Sequence, residues 1–125
     1  MLINLSNHPY EQWSELQKQA AQAFGECVDL PFPAVDPWGD EHYIAQLAEE
    51  YRQRVHRLAE KSAGESVAVH LMGEMTFTYA LLQMLREDGV ACIASTTERM
   101  STDLGDGQKE IRFEFVRFRN YFKIE

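Results

Sequence analysis

Residues Ser66–Leu81 read SVAVHLMGEMTFTYAL, two hydrophobic patterns joined by a single glycine. The stretch Ser66–Met72 is almost continuously apolar, which is typical of a central parallel strand covered on both faces. After Gly73, apolar residues from Phe77 onward recur three and four positions apart, which predicts a helix. A strand that turns directly into a helix is the repeating unit of an α/β fold.

The same alternation of strand and helix continues in both directions along the chain. The predicted elements are strands over 2–6, 27–30 and 90–94, a helix over 10–24 and a second helix, capped by Asp40, over 40–63. With the strand and helix of residues 66–85, the order is βαβαβαβ. This order predicts one Rossmann-like domain over residues 1–125, a three-layer αβα sandwich with a mainly parallel sheet.

The C-terminal third of the chain carries a different pattern. A turn signal at Asp103–Gly107 precedes Ile111–Phe115, which alternates cleanly, so we predict a hairpin that adds an antiparallel edge strand. The apolar parity then changes and leaves Arg117 and Arg119 where core residues are expected. A β-bulge or a paired interface would explain that change. Residues 95–99 are predicted as the loop that follows the fourth strand.

Composition and charge bound the class of protein. With 125 residues and 45% apolar content, the chain can bury one core without disulfides or metals, and Cys27 and Cys92 are expected to be reduced core residues. The net charge of −8 argues against binding to duplex nucleic acid, because such binders present a broad basic face. The chain has no apolar run near the roughly 20 residues of a membrane helix and no signal-peptide pattern, so we expect a cytoplasmic protein.

Ligands bind open parallel sheets beyond the carboxyl ends of the strands, which limits the candidate site to four loops. These loops are residues 6–9, 31–33, 73–76 and 96–99. In the third loop, Gly73 leads straight into a helix whose first amides could bind an anion. The carboxylate of Glu74 would compete for the same amides, and simple helix capping explains this pattern equally well.

His8 and Arg99, in two other loops, each have a functional and a purely structural interpretation. His8 could act as acid or base near neutral pH, or could only bond to the backbone of a turn. The hydroxyls of the segment Ser95–Arg99 and the Arg99 guanidinium suit a phosphate or ribose, although a pair of Arg99 with Glu98 on a solvated turn is the commoner explanation. His70 lies inside the central strand and is predicted to be a satisfied core histidine. No residues have metal-ligand spacing and no Gly-x-Gly-x-x-Gly is present, so we expect no metal and no dinucleotide cofactor.

Two segments, INLSNHP at residues 3–9 and VHLMGEMTFTYAL at residues 69–81, resemble the small CRISPR-associated ring nucleases with a Rossmann-like, CARF-related fold. The resemblance implies a homodimer whose strand ends enclose a cyclic oligoadenylate, with cyclic tetra-adenylate the expected ring. It also implies metal-independent cleavage, in which a ribose 2′-hydroxyl attacks its adjacent phosphate and type III CRISPR signalling is switched off.

The same resemblance implies a role for individual residues. His8 would be the acid, the base or a phosphate donor, with Asn7 beside it as the second catalytic residue. The ligand-binding residues would be Ser6, Gly73, Glu74, Met75, Thr76, Thr97 and Arg99.

Three other functions remain open from the sequence. The same loops could sense a cyclic nucleotide without cleaving it, or could belong to a different small enzyme that processes a nucleotide. The third possibility is a structural or partner-binding protein, in which Arg117, Arg119 and the aromatic edge strand form only an interface.

Overall fold

Five strands form one sheet in the computed structural model, which describes all 125 residues. The strands are β1 (Leu2–Ser6), β2 (Cys27–Asp29), β3 (Ala68–Met72), β4 (Ala91–Gly105) and β5 (Gln108–Asn120), and the helices are α1 (Glu15–Ala21), α2 (Glu41–Ala59) and α3 (Met75–Glu87). The order across the sheet is β2-β1-β3-β4-β5. The first four strands are parallel and β5 is antiparallel to β4. This confirms the predicted α/β sandwich with a mainly parallel sheet and a C-terminal antiparallel pair.

Alternating side chains of the parallel strands build two cores on opposite faces of the sheet. On one face, Ile3 and Leu71 pack with Phe77 of α3 and with α2. On the other face, Leu2 packs with Trp13 and with α1. Burial of each such large side chain contributes about 2 kcal/mol to stability. Because successive residues point to opposite faces, the same strands supply both cores.

Helix α2 begins where the sequence predicts, and the helical segment stops at the predicted Ala63–Gly64, although its last turn is a 3₁₀ turn and not α-helix. The Asp40 carboxylate accepts a hydrogen bond from the backbone N–H of Tyr43 at 3.0 Å, which satisfies one of the free amides at the helix start. After a 3₁₀ turn at Glu60–Ser62, Ala63 adopts φ 55° and Gly64 φ 85°, the left-handed conformation that ends a helix. No helix of the structure is long and apolar enough to cross a membrane.

The first predicted helix, residues 10–24, is wrong in extent. The structure has a 3₁₀ turn at Tyr10–Gln12, then α1, then a second 3₁₀ turn at Gln22–Phe24. Trp13 is extended, because its indole reaches into the core of the sheet, and the Ser14 hydroxyl then caps α1 by accepting from the N–H of Gln17. Leu16, expected on the buried stripe, is 63% exposed.

The loop predicted over residues 95–99 is also wrong, since β4 runs through it to Gly105 and pairs with β5 along its length. Most side chains in the outer part of β4 are exposed. This part of the strand therefore lacks the alternation of apolar and polar residues from which a strand is predicted. Of the two explanations for the parity change, the structure shows the bulge: Thr96 pairs with Arg117 and Thr97 with Phe115, which leaves Val116 unpaired. Bulges increase strand twist, and this one lies where the hairpin leaves the body of the sheet.

The expectation of reduced core cysteines is met in part. Both thiols are free, but only Cys92 is buried, and Cys27 is partly exposed on the short strand β2. Burial raises the pKa of both thiols to about 11. Neither cysteine is therefore a reactive thiolate at neutral pH.

Candidate functional site

A cavity of about 730 Å³ opens at the carboxyl ends of β1, β3 and β4, and we call it the strand-end cavity. His70 of β3 and Ser95 of β4 lie at its base. The loop after β1, residues 6–8, and the residues around the start of α1 form one side. Thr97 of β4 and two phenylalanines of β5 form the other. The cavity therefore lies where ligands bind in open parallel sheets.

Hydrogen bonds to the His8 carbonyl oxygen hold the loop that carries this residue in place. The His8 carbonyl oxygen accepts hydrogen bonds from Asn4 Nδ2 at 2.9 Å and from Trp13 Nε1 at 3.0 Å, whereas the single proton of the Ser6 hydroxyl goes to Asn4 Oδ1 at 2.8 Å. These two donors fix the backbone of the turn, and the His8 side chain remains exposed and lines the cavity. The imidazole is thus positioned by a rigid loop on the end of a buried strand.

Beneath the cavity, polar residues replace apolar ones on a buried face of the sheet. Asn4 lies in register with His70, and both are 2% exposed. Asn4 Oδ1 is 2.9 Å from His70 Nδ1 and 2.8 Å from Ser6 Oγ, and Asn4 Nδ2 donates to Asp29 Oδ1 at 2.9 Å. His70 Nε2 lies 3.2 Å from Ser95 Oγ. These bonds join four elements into one network.

The electrostatics of His70 follow from this burial. Desolvation, together with a smaller contribution from the nearby His8, lowers the pKa of the imidazole to about 4. His70 is therefore neutral at physiological pH. The edge of its ring packs against Trp13 at a centroid distance of 5.2 Å and against Phe118 at 5.6 Å, which fixes its orientation.

The structure brings together five of the residues that the sequence selected. Ser6, Asn7, His8, Gly73 and Thr97 all line the strand-end cavity. Gly73 has a clear steric role besides, because a Cβ atom there would lie 2.1 Å from the ring of Phe32.

Glu74, Met75 and Thr76 lie elsewhere. The Glu74 carboxylate accepts from the backbone N–H of Thr76 at 2.9 Å and of Phe77 at 3.0 Å, and these bonds, with one from the Thr76 hydroxyl, lower its pKa. The amides that an anion would need are thus occupied by the chain's own carboxylate. Met75, which is 83% exposed, and Thr76 border a separate groove with Tyr79.

Arg99 lies beyond the rim of the cavity. It pairs across the hairpin with Phe113, a lining residue, so its side chain is on the cavity face of the hairpin without lining the cavity itself. No lysine or arginine lines the strand-end cavity, and its polar groups are amides, hydroxyls and imidazoles. No group of three or more His, Cys, Asp or Glu side chains is arranged to hold a metal ion.

Sequence reasoning missed Asn4, His70 and Ser95 as site residues. Two of them carried a signal, since Asn4 and His70 are polar residues inside otherwise apolar strands. The interpretation of His70 as a satisfied core histidine describes its burial correctly but not its position at the base of the cavity. The hydroxyls of the segment 95–99 are suited to a phosphate or ribose, but no pattern in the sequence singles out Ser95 among them.

Fold and cavity together define the class, an α/β protein with a Rossmann-like sheet and a polar site at the carboxyl ends of its strands. The chain matches the model of the Uncharacterized protein MJ1673 family over residues 1–119 and belongs to that family. No curated protein matches the chain.

Proposed function

We propose that the protein binds a cyclic oligoadenylate, with cyclic tetra-adenylate the expected ring, in the strand-end cavity and cleaves it by attack of a ribose 2′-hydroxyl. One observation carries the proposal. A single cavity is lined by His8, which a rigid loop carries, and by the buried His70, among hydroxyl and amide groups. In this proposal, as in the resemblance to ring nucleases, cleavage ends type III CRISPR signalling.

The proposed reaction requires hydrogen-bond donors and an acid, and the cavity is lined by hydroxyl, amide and imidazole groups. The 2′-hydroxyl gives its proton to water, its oxygen bonds to the adjacent phosphorus, and the bond from phosphorus to the 5′-oxygen breaks, leaving a 2′,3′-cyclic phosphate and a 5′-hydroxyl. The nucleophile belongs to the ligand, so the protein supplies in-line positioning and hydrogen bonds to the phosphate oxygens. His8 would donate a proton to the leaving 5′-oxygen, with Asn7 beside it. The proposed step uses no metal, so it should proceed in the presence of EDTA.

Two copies of the chain would enclose one ring. The cavity volume of about 730 Å³ falls within the roughly 300–1,000 Å³ that suits a single drug-sized ligand, and a ring of four nucleotides is larger than that. A homodimer that faces its cavities toward each other would cover the whole ring. A cytoplasmic location is part of the proposal, since the signal is made of RNA inside the cell and both thiols are free.

A second candidate is a sensor that binds the ring without cleaving it. It is favoured by the absence of lysine and arginine from the cavity lining, because the negative charge that develops on phosphorus in the transition state would meet only neutral donors and His8.

The deciding experiment incubates the pure protein with cyclic tetra-adenylate in EDTA and resolves the products by chromatography, with His8→Ala and the surface variant His42→Ala alongside. We expect linear fragments ending in a cyclic phosphate, a rate at least tenfold lower in His8→Ala, and no change in His42→Ala. An intact ligand that still binds would favour the sensor. A ligand that neither binds nor reacts would refute both functions.

A further inference from the structure

The network beneath the strand-end cavity has a fixed direction of hydrogen bonding. Asn4 Nδ2 points at two groups that can only accept, the Asp29 carboxylate and the His8 carbonyl, so this atom is the amide nitrogen. Asn4 Oδ1 is therefore the acceptor that faces His70 at 2.9 Å. His70 Nδ1 must carry the proton in this bond.

The donor and acceptor in the hydrogen bond between His70 and Ser95 can be assigned in the same way. His70 is neutral and protonated at Nδ1, so its Nε2 carries a lone pair and can only accept. The Ser95 hydroxyl lies 3.2 Å from Nε2 and also 3.2 Å from Met72 Sδ. A hydroxyl has one proton, and imidazole nitrogen is a far stronger acceptor than a thioether sulfur. Ser95 therefore donates to His70, which leaves its oxygen as an acceptor.

We infer that Ser95 recognises a hydroxyl group of the ligand, the ribose 2′-hydroxyl, and so discriminates a ribonucleotide ring from its 2′-deoxy counterpart. Ser95 is partly exposed and lines the cavity, whereas His70 beneath it is buried. A phosphate oxygen needs a donor and is poorly matched to an oxygen that has already given its proton away. A hydroxyl is well matched, because it can donate to Ser95 Oγ.

This assignment rests on the proposed function and adds a positioning role to it. A hydrogen bond from the 2′-hydroxyl to Ser95 Oγ would hold the attacking 2′-oxygen at a defined place at the base of the cavity. Asp29, Asn4 and His70 act through Ser95, because each fixes the orientation of the next. The role is equally useful to an enzyme and to a sensor, so binding measurements can test it in either case.

The experiment measures dissociation constants by calorimetry for cyclic tetra-adenylate and for the all-2′-deoxy ring. The proteins are the wild type, Ser95→Ala, Ser95→Thr and the control Ser66→Ala. Ser66 is an exposed serine before the amino end of β3, remote from the cavity. We expect the wild type to bind the ribo ring at least fivefold more tightly than the deoxy ring. Ser95→Ala should bind both rings about equally, Ser95→Thr should restore discrimination, and Ser66→Ala should match the wild type.

The outcomes separate the two proposals. If the wild type prefers the ribo ring and Ser95→Ala retains the same preference, the role of Ser95 is refuted and the proposed function stands. If the wild type binds both rings equally, the role of Ser95 is refuted as well. If the wild type binds neither ring, the proposed function fails and the inference fails with it. Thermal unfolding of each variant checks that a loss of preference is not a loss of fold.

Discussion

At the scale of the residue, the surroundings of a side chain decide its chemistry. Four histidines occur in the chain, and only His70 is buried against aromatic rings with both ring nitrogens near partners. Its neutral form is favoured because burial penalises the charged form and no carboxylate touches the ring.

The first prediction concerns the pH dependence of stability. In the unfolded chain His70 takes up a proton near its ordinary pKa of 6.5, whereas in the folded chain it does so only near 4. Between these values the unfolded state binds more protons, so the free energy of unfolding falls as pH falls. The His70 contribution to this fall is about 2 kcal/mol between pH 7 and pH 5.

Urea unfolding of the wild type and His70→Asn at pH 7, 6 and 5 measures this contribution. Asparagine retains a donor for Asn4 Oδ1 and removes the titrating ring. The stability of His70→Asn should depend less on pH than that of the wild type, while the exposed variant His42→Asn should follow the wild type. Identical pH slopes for the wild type and His70→Asn would contradict the buried, neutral state of His70.

At the scale of the element, the β4–β5 hairpin shows how one extra residue sets the faces of a strand. With Val116 unpaired, Phe115 and Phe118 both lie on the cavity side and their rings are 5.0 Å apart. Strict alternation would place residues 115 and 118 on opposite faces, because side chains in a strand have a period of two. The bulge therefore brings the aromatic residues of the outer hairpin over the cavity.

The second prediction follows from this register. Deleting Val116 should leave Thr97 paired with Phe115 and Arg99 paired with Phe113, because the unpaired residue alone is removed. Deleting Glu114 instead should turn Phe113 to the opposite face, where it would pair with Glu98 and leave the cavity wall. Cross-strand nuclear Overhauser contacts of the Phe113 Hα atom report the pairing. A shift of Phe113 in the Val116 deletion would show that the bulge fixes more than the local register.

At the scale of the whole molecule, the hairpin extends beyond the parallel strands and carries exposed apolar side chains. Phe113 is 65% and Ile111 47% exposed, and both lie on the cavity face of β5. Exposed, regular edge strands of this kind tend to pair with another chain. A second copy of this chain, facing the first across the ring, would cover these residues and complete the proposed site.

The third prediction is that the protein is a dimer of its 14.4 kDa chain, with the hairpin as part of the interface. Sedimentation equilibrium should give twice the chain mass for the wild type. Ile111→Glu should lower the dimerisation affinity at least tenfold, because it places a charge in a desolvated apolar contact. The exposed tail variant Ile124→Glu is the matched control and should remain dimeric. A wild type that sediments as a monomer, alone and with cyclic tetra-adenylate, would refute this assembly.

The sequence by itself determined the parts of this protein that depend on local pattern and burial. Apolar runs such as 66–72 and the cap at Asp40 predicted the succession of strands and helices along the chain and the long helix, because each reflects a buried face or an unpaired amide within a few residues. The parity change at Arg117 predicted a bulge as one of two explanations. The loop of His8 followed from the rule that sites lie at strand ends.

Only the tertiary structure decided where the polar groups meet. Asn4, His70 and Ser95 are distant in sequence and become neighbours through the parallel register of β1, β3 and β4. The start of α1 depended on Trp13 reaching the sheet, and the outer part of β4 depended on cross-strand pairing with β5 rather than on a core. Hydrogen-bond direction in the site is likewise a property of the assembled network, since each group's role is set by partners that the sequence places far away.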